Sequence, residues 1–64
     1  MNFGKSIKKH RLKLNKSQKE IASELHITPQ TLSKWETNKS QPSIEDLVAL
    51  KELYNLSLDE ILTE

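Results

Sequence analysis

His10 and His26 are the only histidines in the chain, and they fall on different predicted elements, so neither general acid–base pairing nor a histidine metal site is indicated. With no cysteine, there is no thiol nucleophile, thiolate ligand or disulfide framework. Two acid pairs, Glu45-Asp46 and Asp59-Glu60, have the makings of a carboxylate dyad. Each sits in the first turn of a predicted helix, where negative charge complements the helix dipole without any catalytic role. A glycine-rich phosphate loop, an HExxH pattern and a nucleophile elbow are also missing. The sequence therefore reads as a non-enzyme with no cofactor and no metal. Its polar chemistry is of another kind: Gln30, Ser33, Lys34 and Thr37 share one helical face, where their amide, hydroxyl and ammonium groups donate and accept hydrogen bonds.

The elements that position those residues are marked by their starts. Ser17-Gln-Lys-Glu20 is a capping box, and Thr28-Pro29 places a cap before a proline at the first helical position. Ser43-Ile-Glu-Asp46 and Ser57-Leu-Asp-Glu60 open two further helices, and Ile27 with Leu32 and Leu56 with Ile61 are spaced as hydrophobic staples. Phe3, Ile7 and Leu14 form an apolar stripe on a first helix, and Ile21, Ala22 and Leu25 form one on the second. Ile44, Leu47, Val48, Lys51 and Tyr54, widened by Leu50 and Leu53, predict a central buried helix. Leu58, Ile61 and Leu62 complete the set. No segment alternates with period two, so the expected fold class is all-α, a bundle of five short helices.

Composition bounds the rest. Sixty-four residues, 34% hydrophobic and 30% charged, are expected to make a single domain over 1–64. The longest apolar run, Leu47-Val48-Ala49-Leu50, is far below the roughly 20 residues of a membrane span, and the N-terminus has no apolar leader, so a soluble cytoplasmic protein is expected. The net charge of +1 conceals an asymmetry: residues 1–16 hold six basic side chains and no acid, whereas residues 43–64 hold one lysine against six acids. A basic front and an acidic back suit a polyanion bound on one side.

The predicted helices Ser17–Leu25 and Thr28–Thr37 are separated only by His26-Ile27. So tight a corner needs a small residue at the crossing, which Ala22 provides, apolar plugs such as Ile21, Leu25, Ile27, Leu32 and Trp35, and a turn residue tolerant of positive φ at His26. This is the arrangement of a helix-turn-helix over residues 18–37. The stretch SQKEIASELHITPQTLSKWETNKSQPSIEDL also resembles the Cro/C1-type helix-turn-helix of the bacterial and phage XRE regulator family. The resemblance rests on Ser17-Gln18, Ala22, Thr28, Trp35-Glu36 and Pro42, and extends over nearly the whole chain. It implies a compact, lambda-repressor-like five-helix DNA-binding domain. His26 and Asn38 stand where the family usually has glycine, Lys16 where an apolar residue is common, and Pro29 where a hydrogen-bonding side chain often reads a base.

On a helical projection Leu32 and Trp35 point inward and Gln30, Ser33, Lys34 and Thr37 outward, flanked by Pro29 and Thr31. A recognition helix presents its N-terminal residues to base edges, so Pro29, Gln30, Thr31, Ser33 and Lys34 are the expected base contacts. Gln30 suits adenine, Lys34 suits guanine, and Pro29 and the Thr31 methyl suit a thymine methyl. Expected phosphate contacts are Ser17, Gln18, Thr28, Thr37, Asn38, Lys39 and Ser40, at helix starts and in the loop after the recognition helix. The resemblance further implies that Arg11 pairs with Glu36 as a brace, while the inward-pointing Trp35, a single indole, is expected in the core. The expected partner is a palindromic double-stranded operator bound by a homodimer of a transcriptional repressor, with Tyr54, Leu56, Leu58 and Leu62 as dimer contacts. The alternative is a module of the same fold that works through a protein partner, in the manner of an antitoxin or an anti-repressor target.

Overall fold

The computed structural model describes residues 3–54. Its helices are α1 Phe3–Lys13, α2 Gln18–Leu25, α3 Pro29–Glu36 and α4 Ile44–Tyr54. The expectation of five helices is corrected to four: the described residues form an all-α unit of four helices with no strand. Four are enough to enclose a core, because Ile7, Ile21, Leu32, Trp35, Leu50 and Tyr54 from all of them form one buried cluster. Residues 57–62, where the fifth helix was expected, lie outside the described residues.

The helices begin where local hydrogen bonding dictates. Ser17 Oγ accepts from the Glu20 N–H at 3.1 Å while the Ser17 N–H donates to Glu20 Oε1 at 2.9 Å, completing the capping box. Thr28 Oγ1 accepts from the Thr31 N–H at 3.1 Å, directly before Pro29. Ser43 repeats the device with an aspartate: its hydroxyl accepts from the Asp46 N–H at 3.2 Å, and its own N–H donates to Asp46 Oδ2 at 3.3 Å.

The first three helices also end alike, each on a non-glycine residue in the left-handed region: Asn15 (φ 58), His26 (φ 61) and Asn38 (φ 61). In each case the following N–H folds back five residues: Lys16 to the Arg11 carbonyl (3.5 Å), Ile27 to Ala22 (3.0 Å) and Lys39 to Lys34 (2.8 Å). This is the bond that closes a Schellman motif. Turns therefore form at these points although the chain has a single glycine, which lies elsewhere.

That glycine, Gly4, sits inside α1 and sets how closely α1 approaches α3. A Cβ built on it would lie 2.5 Å from the Glu36 carbonyl oxygen and 2.6 Å from that of Trp35, closer than real Cβ atoms come. The same residue's N–H donates to Asn38 Oδ1 at 3.0 Å, so the loop after α3 caps the start of α1.

Two packing expectations are corrected. Of the apolar band on α4, only Leu50 and Tyr54 are buried; Ile44 is 79% exposed and Val48 42%. The band spreads over more than half of the helix circumference, so it cannot all face the core: among the described residues α4 packs chiefly on α2, and Ile44 and Val48 fall on its exposed side. Leu14 does not join the α1 stripe, because α1 ends at Lys13 and Leu14 lies in the following turn, 44% exposed.

Candidate nucleic-acid interface

α2 and α3 make the expected corner. Ala22, fully buried, occupies the crossing, and the His26 turn (φ 61, ψ 39) reverses the chain. Ile21, Leu32 and Trp35 anchor the two helices in the core, with Leu25 and Ile27 packed against it. Pro29 at the first helical position removes one of the N–H groups a helix start leaves open, and the outer side of α3 carries Pro29, Gln30 and Lys34 exposed and Thr31 and Ser33 half-buried. Gln30 and Lys34 stand one helical turn apart on that side.

Several hydroxyls of the site are already engaged by the backbone or by each other. Thr31 Oγ1 lies 3.0 Å from Thr28 Oγ1, and Thr28 caps α3. Thr37 Oγ1 donates to the Ser33 carbonyl at 2.8 Å, and Ser17 Oγ is held in the capping box. These residues shape the helix ends that face outward. At the start of α2 the first intrahelical bond runs from the Ile21 N–H to the Ser17 carbonyl, at 3.1 Å, and Ser17 Oγ accepts from Glu20. The Gln18 and Lys19 amides precede both, which is the geometry that favours an anion. The carboxyl of Glu20 is held below its ordinary value by the Ser17 backbone N–H and, second, by the Ser17 side chain. Lys39, exposed, supplies a cation in the loop beyond α3.

Behind this surface lies a buried ionic junction. Arg11 Nε donates to Glu36 Oε2 at 2.7 Å and its Nη2 to Glu36 Oε1 at 3.1 Å, a two-point contact between side chains only 8% and 1% exposed. The third guanidinium nitrogen donates to the Lys16 carbonyl at 2.9 Å. Gln18 Nε2 donates to Glu36 Oε1 at 2.9 Å. One carboxylate at the end of α3 thus ties together α1, the turn after it and the start of α2. The Glu36 hydrogen bond holds the Arg11 guanidinium proton more firmly than usual. Tyr54 closes the junction from α4: burial pushes its phenol above the ordinary value, with the Glu36 charge acting in the same direction.

The sequence left three of these links unread: Gln18 to Glu36, Asn38 to Gly4, and Arg11 to the Lys16 carbonyl. The last two had a signal, since a lone glycine inside a helical pattern marks a packing constraint and Lys16 follows directly on the turn that ends α1. Gln18 and Asn38, expected at phosphates, have side chains bonded within the protein. Tyr54, expected at a dimer contact, is in the core at 7% exposure with its ring 6.3 Å from that of His10. Leu56, Leu58 and Leu62 lie outside the described residues.

Comparison with known proteins places this geometry in a family. The helix-turn-helix family matches residues 7–61, and the chain belongs to it, as an XRE-type (Cro/C1-type) member of these DNA-binding transcription regulators. The HTH-type transcriptional regulator ImmR of Bacillus subtilis (strain 168) is 39% identical over 62 residues, covering 97% of this chain and 49% of its own length. The HTH-type transcriptional activator BcrR of Enterococcus faecalis is 29% identical over 63 residues, covering 98% of this chain and 31% of its own. This chain therefore spans half or less of either relative. Among solved structures, the P22 c2 repressor protein in complex with synthetic operator 9T superimposes with a TM-score of 0.91 at 27% identity, over 98% of this chain and 96% of that one. Among the described residues no helix is long and apolar enough to cross a membrane.

Proposed function

We propose that this chain is the sequence-specific double-stranded DNA-binding domain of a cytoplasmic transcriptional repressor, acting on a palindromic operator as a homodimer. The observation that carries this reading is the likeness, over nearly the whole of both chains, to a repressor solved on its operator. The outer side of α3, with Gln30 and Lys34 exposed one turn apart, enters the major groove. Gln30 pairs with an adenine edge and Lys34 with guanine O6 and N7, while Pro29 and Thr31 lie against thymine methyls and Ser33 against the neighbouring base. The amides opening α2, with Ser17 and Gln18, hold one phosphate. Thr28, Thr37, Asn38, Lys39 and Ser40 hold the rest of the backbone frame. Arg11 and Glu36 act as positioning residues that fix α3 relative to α1 and α2. Dimerisation through Leu56, Leu58 and Leu62 would set the two recognition helices one turn of DNA apart.

Readout and positioning separate by mutation. Gln30→Ala is expected to cost about 1–3 kcal/mol on the preferred site and relax preference at one base pair. Lys39→Ala is expected to weaken all duplexes alike and flatten the salt slope by about one unit. Titration of both variants against matched and mismatched duplexes across a salt series checks this. An unchanged base preference in Gln30→Ala would refute the placement of α3.

A further inference from the structure

Two exposed faces have no part in the interface just described. On α1, Lys5, Lys8, Lys9, Leu12 and Lys13 line a shallow open groove. At 100° per residue these five positions form one stripe, with Leu12 beside Lys8, Lys9 and Lys13 toward its C-terminal end, and Leu12 is 57% exposed. On α4, Ile44, Glu45, Val48 and Glu52 are all exposed and also share one side, with Val48 near its middle. Each stripe spans nine residues, about 12 Å of helix.

The two are complementary in charge and alike in length. One sets an exposed leucine among four lysines; the other sets an exposed isoleucine and valine beside two glutamates. A ridge built only for phosphate gains nothing from an exposed leucine among its lysines, whereas a helix face of apolar residues with acids along one edge is matched by it. Both stripes are exposed in the same molecule, so neither covers the other within one copy.

We infer that the α1 stripe of one copy docks on the α4 stripe of a second, a head-to-tail contact distinct from any symmetric dimer. Leu12 packs between Ile44 and Val48, and the Lys8 and Lys13 ammonium groups face the Glu45 and Glu52 carboxylates. Such a contact is heterologous, so a bound pair still offers one unoccupied stripe of each kind and adds neighbours in a row. On DNA it joins adjacent copies. Exposed ion pairs contribute little individually and are screened by salt, so the association is weak and favoured at low ionic strength.

Sedimentation of the full 64-residue chain over a concentration series at low salt tests this, with Trp35 emission confirming that each variant is folded. The wild-type chain is expected to self-associate, and to do so less as salt is raised. Lys8→Glu/Lys13→Glu opposes acid to acid, and Glu45→Lys/Glu52→Lys opposes base to base. Each is expected to weaken association at least about tenfold. An equimolar mixture of the two variants regains the wild-type association, because each then supplies the partner the other lacks. Leu12→Ser, which leaves every charge in place, is expected to weaken it several-fold. A wild-type chain that stays monomeric, association unchanged by both reversals, or a mixture that fails to recover would overturn the contact. So would a Lys8→Glu/Lys13→Glu chain that associates normally but binds DNA with a flatter salt dependence, which would assign the α1 stripe to phosphate.

Discussion

Replacing Arg11 by Met should come close to unfolding the protein at room temperature. Methionine keeps the aliphatic stem but removes both bonds to Glu36 and the bond to the Lys16 carbonyl. Glu36, with its side chain 1% exposed, is then left, among the described residues, with Gln18 Nε2 as its side-chain donor. Removing one partner of a buried pair costs about 3–5 kcal/mol, since it leaves a charge in a poorly solvated site. A chain of 64 residues has a total stability of only about 3–10 kcal/mol. At about 4–8 °C per kcal/mol for a domain of this size, the midpoint should fall by about 12–40 °C. Urea and thermal unfolding followed by Trp35 emission and helical circular dichroism would measure it. The double variant Arg11→Met/Glu36→Met has no buried charge at the junction, and should recover at least half of the loss. The reasoning is refuted if the single variant loses less than about 1 kcal/mol, or if the double variant is no more stable than the single.

Other expectations follow from the same contacts. Gly4→Ala is favoured by helix propensity but drives a Cβ against two backbone carbonyls of α3, so a net loss of about 1–3 kcal/mol is expected in urea unfolding. Tyr54 Oη is buried with no hydrogen-bond partner among the described residues, and Tyr54→Phe should therefore raise stability by about 1 kcal/mol. Because burial raises the Tyr54 phenol, its contribution is complete below the ordinary value of 10.0 and is lost as pH rises beyond it; an alkaline melting series should show that loss in the wild type and not in Tyr54→Phe. His26→Gly relieves a side chain held at φ 61, and should stabilise the fold by about 1 kcal/mol in the same assay.

What the sequence disclosed was what local chemistry decides. Ser17, Thr28 and Ser43 announce helix starts because a cap and its partner lie three residues apart, and His26 announces a turn because its neighbours are helix-forming on both sides. Long-range closure was less visible. Gln18 meets Glu36 across 18 residues and Gly4 meets Asn38 across 34, and no periodicity encodes such meetings. The pairing of Arg11 with Glu36 came from family resemblance alone. Exposure was misjudged on α4, where the wide apolar band took in Ile44 and Val48 although they turn away from Leu50 and Tyr54 into solvent, and on Tyr54, which was placed both in that band and at a dimer contact and is core.

The central claim is that this chain reads a DNA sequence as a dimer. Selecting ligands from a random duplex pool with the purified chain tests it most directly. A two-fold symmetric site is expected, with half-sites about one helical turn apart and an adenine and a guanine at positions relaxed by Gln30→Ala and by loss of Lys34 respectively. A folded sample that enriches no sequence at low salt would contradict the account.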